Sequence, residues 1–257
     1  MRLPTLSTNA AGAAMALLAF AVFSTHDVIV KQLGSTYSPF QVVFVTALLS
    51  FPILTLVMMS DQKPDTLVPR HPYWMVIRSV VGVMSALSAF YALTVLPLSQ
   101  FYAFVFAAPL IITVLAIPML GEVVRLRRGL AIVVGLVGVL IVIRPGSAEF
   151  SLGHLAAITA ACAGAFVSII TRKIGSEERG VVMMIYPMMS NLAITAIILP
   201  FVYVQIPLAD LGWFAIDTLL VLTAMWLLVF AYTHTDAIII APMQYSQIIW
   251  ATLFGYF

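Results

Sequence analysis

The residues of this chain most able to recognise a solute or move a proton lie inside long apolar runs. Gln244, Tyr245 and Gln247 sit in "APMQYSQIIWATLFGYF", the last stretch of the sequence, with Trp250 and Thr252 beyond them. The two glutamines are three apart and share a helix face. An amide without a partner in hydrocarbon is costly, so each needs one. Either they hold neighbouring helices together, or they hydrogen-bond a polar solute on which Tyr245 or Trp250 stacks. The second reading makes this segment the leading candidate site.

Other polar residues in apolar surroundings are candidates by the same argument. Arg78 could reach headgroups with its guanidinium, or turn into a cavity and hold an anionic group with two parallel hydrogen bonds. His26, Asp27 and Asp217 are the candidates for proton coupling, because imidazole and carboxylate groups titrate in reach of neutral pH when their surroundings allow it. Asp27 and Lys31 are four apart and can pair across one turn, and Asp27 could instead meet a solute amine. Ser85, Ser88 and Tyr91 recur at three-residue steps, and Tyr102 and Trp226 add aromatic surface; these are either wall residues of a binding site or packing surfaces. Asn191 reads as a helix-to-helix contact, as does the small-residue set Ala131, Gly135 and Gly138. His234 and Asp236 are expected to cap the last run. The four histidines are dispersed, so no metal site is expected, and no cofactor is implied. Cys162 is the sole cysteine, so no internal disulfide can form.

These residues must be carried by membrane helices. Of 257 residues, 63% are hydrophobic and 9% charged, whereas soluble domains carry roughly 25% charged residues. Apolar runs of spanning length recur at about 10–30, 39–59, 72–95, 98–119, 127–144, 152–171, 181–204, 211–233 and 237–257, each near the ~20 residues that a bilayer requires. The runs are continuous, not alternating, which argues against strands. The first run continues past Phe23 without a clean cleavage site and reads as a span, not a signal peptide. With the N-terminus in the cytoplasm, Arg2, Lys63, Arg70, Arg78, Arg125, Arg127, Arg128, Arg172, Lys173 and Arg179 fall on the cytoplasmic side, against Lys31 and Arg144 outside. The net charge of +2 and the absence of a basic, aromatic-studded stretch give no reason to expect nucleic acid.

The chain also repeats itself. "YWMVIRSVVGVMSALSAFYALT" (73–94) resembles "GWFAIDTLLVLTAMWLLVFAYT" (212–233), pairing Trp74 with Trp213, Arg78 with Asp217 and Thr94 with Thr233. "KQLGS" at Lys31 answers "RKIGS" at Arg172, and Gly12 answers Gly153, at nearly the same offset. A five-helix unit is implied, and an odd number inverts the second copy relative to the first. The expected domains are 1–146 and 147–257. The first copy closes its fourth span with "LGE" at Leu120–Glu122 and then has a fifth span; the second copy stops short of the matching point. The expectation is therefore a ten-helix chain cut short after about nine spans, the alternative being a natural nine-span protein.

Several of these features together resemble the EamA-like family of the drug/metabolite transporter superfamily. They are Arg78 followed by Gly82, "ALTVLPLSQ" between spans three and four, Pro109 within span four, "PMLGE" at its close, "GLVGVLIVIRPG" at the end of the first copy, and "APMQYSQIIWATLFGY" as the ninth span. The resemblance implies an all-α polytopic bundle of ten helices with both termini cytoplasmic, in the inner membrane of a bacterium. It implies a central cavity lined mainly by spans one, three, four, six, eight and nine, and a secondary carrier that moves a small organic metabolite by alternating access. Thr46 stands where many relatives carry an arginine, which loosens any transfer of substrate. No Gly-rich loop with Lys-Ser/Thr is present, so ATP is not the direct energy source in this chain; no HExxH, GxSxG or paired-carboxylate motif and no charged filter is present, so a membrane-embedded enzyme and a channel or lipid-handling protein are the weaker alternatives.

Overall fold

The computed structural model describes residues 8–60, 67–122, 130, 151–247, 249 and 250. Among these there are helices and no strands. The helices are α1 (Thr8–Leu33), α2 (Pro39–Ser60), α3 (Pro72–Val95), α4 (Leu98–Val105), α5 (Ala108–Leu120), α6 (Leu152–Ile174), α7 (Gly180–Val202), α8 (Leu208–His234) and α9 (Ala237–Ile240), followed by a 3₁₀ segment, Ala241–Ser246. Seven helical stretches among the described residues are long and apolar enough to cross a membrane. Their outer faces stay greasy: Ile197 is 72% exposed, and Phe201 and Leu208 are each 86% exposed. Such surfaces have their solvent in lipid. The chain is an integral membrane protein. The expected fifth span, with Ala131, Gly135 and Gly138, and the end of the ninth lie outside the described residues.

Two departures from straight α-helix matter for the site. The fourth apolar run is broken at Phe106 and Ala107 into α4 and α5. Pro109 explains it: its nitrogen carries no hydrogen, so the Val105 carbonyl has no donor one turn on, and the ring crowds that carbonyl. The chain tightens instead, with Ala107 N–H donating to Phe104 O at 2.9 Å. The ninth run begins with one α turn and then winds as a 3₁₀ helix from Ala241, with Pro242 in its first turn. α5 ends on Gly121, whose φ of +68° suits a residue without a Cβ; Glu122 N–H then reaches back to Ala116 O at 3.3 Å.

Packing pairs α1 with α8, α3 with α6 and α2 with α7. Close approach rests on small residues. A Cβ on Gly12 would collide with the Thr235 side chain, so α1 and the turn after α8 touch only because Gly12 has none. One buried cluster, including Ala16, Phe20, Ile112, Ala116, Ile169 and Tyr232, joins α1, α5, α6 and α8. Another, including Met75, Ile170, Val182, Met183 and Val229, joins α3, α6, α7 and α8. Between these layers lies the cavity.

Candidate functional site

The cavity encloses about 360 Å³, within the range of small-molecule sites. Its wall includes Arg78, Gly82, Ser85 and Phe90 from α3, His26 and Asp27 from α1, and Gln244 and Gln247. A 3₁₀ helix turns once every three residues, so Gln244 and Gln247 stack on one edge. Gln247 is 5% exposed, and its Oε1 has no hydrogen-bond partner among the described residues.

Arg78 marks one end. It is 2% exposed, so it does not reach for headgroups. Its Nε donates to Thr171 Oγ1 at 2.8 Å and its Nη1 to Met183 O at 2.7 Å. The second bond has a reason in the sequence. Met183 O would accept from residue 187 in an α-helix, and residue 187 is proline. Arg78 supplies the donor that Pro187 lacks.

An acidic cluster marks the other end. The His26 ring places Nδ1 3.3 Å from Asp27 Oδ1 and Nε2 3.4 Å from Asp217 Oδ1. Asp217 is fully buried, and its Oδ2 accepts from Thr46 Oγ1 at 2.9 Å. Asp27 Oδ2 accepts from the Tyr102 hydroxyl at 2.8 Å. The adjacent residues His26 and Asp27 thus meet through the ring nitrogen. The expected Asp27–Lys31 pair does not form: Lys31 Nζ donates to Leu93 O and Leu96 O, both at 3.2 Å. Pro97 leaves the Leu93 carbonyl without its helical donor, and the lysine fills that place. Thr46 thus serves as a carboxylate partner.

The two ends are far apart. His26 is 6.0 Å from the Phe90 ring, and Phe90 lies twelve residues beyond Arg78 on α3, a rise of about 18 Å. A compact zwitterion, with its charges a few ångströms apart, meets one end at a time.

Not every candidate reaches the wall. Ser85 does, and its Oγ also donates to Ala160 O at 3.2 Å. Three-residue steps on an α-helix drift by about 60° each, so Ser88 falls off the wall and Tyr91, 38% exposed, lies on the outer surface. Trp226 is 51% exposed and lies beside Phe230, on the outer side of α8. Tyr245 packs on Phe106 with ring centroids 6.0 Å apart, and Trp250 is half-buried. Asn191, read from the sequence as a packing contact, is on the cavity wall, and its Oδ1 is buried without a hydrogen-bond partner among the described residues.

At the face where α5, α6 and α8 end, Glu122 accepts from Ala237 N–H at 3.1 Å and Ile238 N–H at 3.2 Å. This corrects the expected cap of the last run. Asp236 makes no side-chain cap; it accepts from Arg172 Nη2 at 2.6 Å. Arg172 Nη1 also donates to Tyr232 O and Thr233 O, at 3.5 and 3.4 Å.

The family model of the EamA-like transporter family matches residues 10–144, more than half of the sequence. The chain belongs to the EamA-like transporter family. It is 26% identical over 262 residues to a protein of Rickettsia felis named S-adenosylmethionine uptake transporter, covering 98% of this chain and 85% of that one. It is similar to an uncharacterized transporter of Helicobacter pylori, 27% identical over 95% of this chain and 85% of the relative. A riboflavin transporter of Vibrio cholerae is 26% identical over 68% of this chain and 59% of the relative. A solved crystal structure superposes with a TM-score of 0.73 at 17% identity, over 97% of this chain and 87% of the other, and so shares the fold. The protein is thus a membrane transporter with the all-helical EamA fold.

Proposed function

We propose that this transporter is a secondary carrier that moves a small organic metabolite through the cavity by alternating access. The observation that carries the reading is the set of intramembrane polar side chains lining one cavity: Arg78, Gln244 and Gln247. Such groups are expensive in a bilayer and belong where a solute meets them. The names of the relatives point to S-adenosylmethionine or a riboflavin-like vitamin as first solutes to try.

The halves 1–146 and 147–257 are proposed to be inverted copies that rock against each other. Matching contacts support this. Lys31 caps carbonyls at the end of α3, and Arg172, its counterpart in the repeat, caps carbonyls at the end of α8. Arg78 on α3 holds α6 and α7, and Asp217 on α8 holds α1 and α2. His26, Asp27 and Asp217 form one proton-binding unit in contact with the cavity, which suits proton coupling. The lysine and arginine distribution favours a cytoplasmic N-terminus in a bacterial inner membrane.

Replacing Gln244 by Ala tests the site. Uptake by the variant in proteoliposomes is expected to fall at least about tenfold, with expression and thermal stability near the parent's. Uptake at the parental rate removes Gln244 from the site.

A further inference from the structure

We infer that the cavity recognises a planar ring whose edge carries a hydrogen-bond donor and an acceptor side by side, through the amides of Asn191 and Gln247. The inference rests on the carrier reading and names its class of solute.

Both amides are on the cavity wall, on different helical segments, α7 and the start of the last run. The Asn191 Oδ1 and Gln247 Oε1 atoms are buried, and neither has a hydrogen-bond partner among the described residues. Gln247 as a whole is 5% exposed. An amide oxygen desolvated and left unpaired is unfavourable. Elsewhere in this bundle such deficits are filled: Arg78 serves the Met183 carbonyl and Lys31 the Leu93 carbonyl. Of the buried side-chain oxygens without a hydrogen-bond partner among the described residues, the two amide oxygens belong to residues on the cavity wall, where a bound solute can supply the donor.

The chemistry of the amide narrows that solute. A carboxamide offers an acceptor and a donor in one plane, and the matching surface is an edge with a donor next to an acceptor, as an adenine presents with its exocyclic amine and N7. Room for a flat body is present. Gly82 and Ala86 on α3 face the same cavity as Ala161 and Gly164 on α6, so small side chains line both of these walls. Phe23 and Phe90 supply faces on which a ring can stack. Two chemistries carry such an edge, an aminopurine and the imide edge of a flavin, and the experiment separates them.

The full chain in proteoliposomes is given S-adenosylmethionine and its N6,N6-dimethyl analogue, and in a second arm riboflavin and 3-methylriboflavin. Methylation removes the donor and leaves the ring. The expected result is saturable uptake of one parent solute, with half-saturation at least about tenfold lower than for its methylated partner. In Asn191→Leu and in Gln247→Met that preference is expected to shrink below about threefold. Saturable uptake with equal half-saturation for parent and methylated solute overturns the ring-edge inference and leaves the carrier standing. No saturable uptake of any of the four also overturns the ring-edge class, and the carrier reading is then decided separately by counterflow with other metabolites. The unsubstituted protein supplies the comparison by itself, so a variant that fails to fold does not shield the inference.

Discussion

Arg78 offers a prediction whose size follows from two bonds and one missing hydrogen. Replacing it by Met keeps much of its bulk and removes the donors to Thr171 Oγ1 and Met183 O. Thr171 keeps an outlet, because its hydroxyl donates to Val167 O at 2.8 Å. Met183 O does not, since Pro187 cannot donate to it. A buried polar group left unpaired costs about 1–3 kcal/mol, so Arg78→Met is expected to lower thermal stability by about that much. Pro187→Ala restores an N–H at the position that serves Met183 O. In the Arg78→Met background it is therefore expected to recover about 1–2 kcal/mol, more than it yields alone, a non-additivity that a double-mutant cycle isolates. Unfolding is followed by heat in detergent for the four proteins. Additive effects, with no recovery in the double variant, refute the assignment of Arg78 as the missing donor. Uptake separates the second role: with stability recovered, an anion-binding Arg78 still leaves the double variant with a raised half-saturation.

Three further outcomes are expected. Gly12→Ala places a methyl against Thr235 and is expected to destabilise the protein by about 1–3 kcal/mol, read as a lower melting midpoint. Glu122→Ala leaves the Ala237 and Ile238 N–H groups uncapped and is expected to cost about 1–2 kcal/mol in the same assay, with Glu122→Gln milder because an acceptor remains. Tyr37, between α1 and α2, donates its hydroxyl to Asp210 Oδ2, and this bond, with burial and the carboxylate charge, holds its phenol up to about 12. The unfolded phenol ionises near 10, so the stabilisation is complete below pH 10 and is lost as pH rises through about 12; an ultraviolet titration of Asp210→Asn is expected to show one of the nine tyrosines moving back toward 10.

The apolar runs were legible because a bilayer demands length, and length is written in the sequence. The runs at 39–59, 72–95 and 152–171 coincide with α2, α3 and α6 to within a few residues. The breaks in the fourth and ninth runs left a weaker mark. Hydropathy does not register them, yet Pro109 and Pro242 are where each helix changes its winding. Side-chain partners were the least legible. Spacing says which residues share a face of one helix; it does not say which neighbour that face meets. Asp27 and Lys31 share a face, but Tyr102 arrives from α4 and takes the carboxylate, while Pro97 leaves a carbonyl for the lysine. Asn191 and Gln247 are chemically alike in the sequence as helix glue or solute ligand. Their unpartnered oxygens on a cavity wall distinguish them.

The most direct measurement is counterflow. Proteoliposomes holding the full chain are loaded with unlabelled S-adenosylmethionine or riboflavin, diluted into a trace of the labelled solute, and followed with time. A carrier that alternates access predicts transient accumulation of label above equilibrium, saturating with outside concentration and lost in Gln244→Ala. For a solute that does enter, label that rises linearly with concentration and never exceeds equilibrium contradicts alternating access and makes the cavity an open passage.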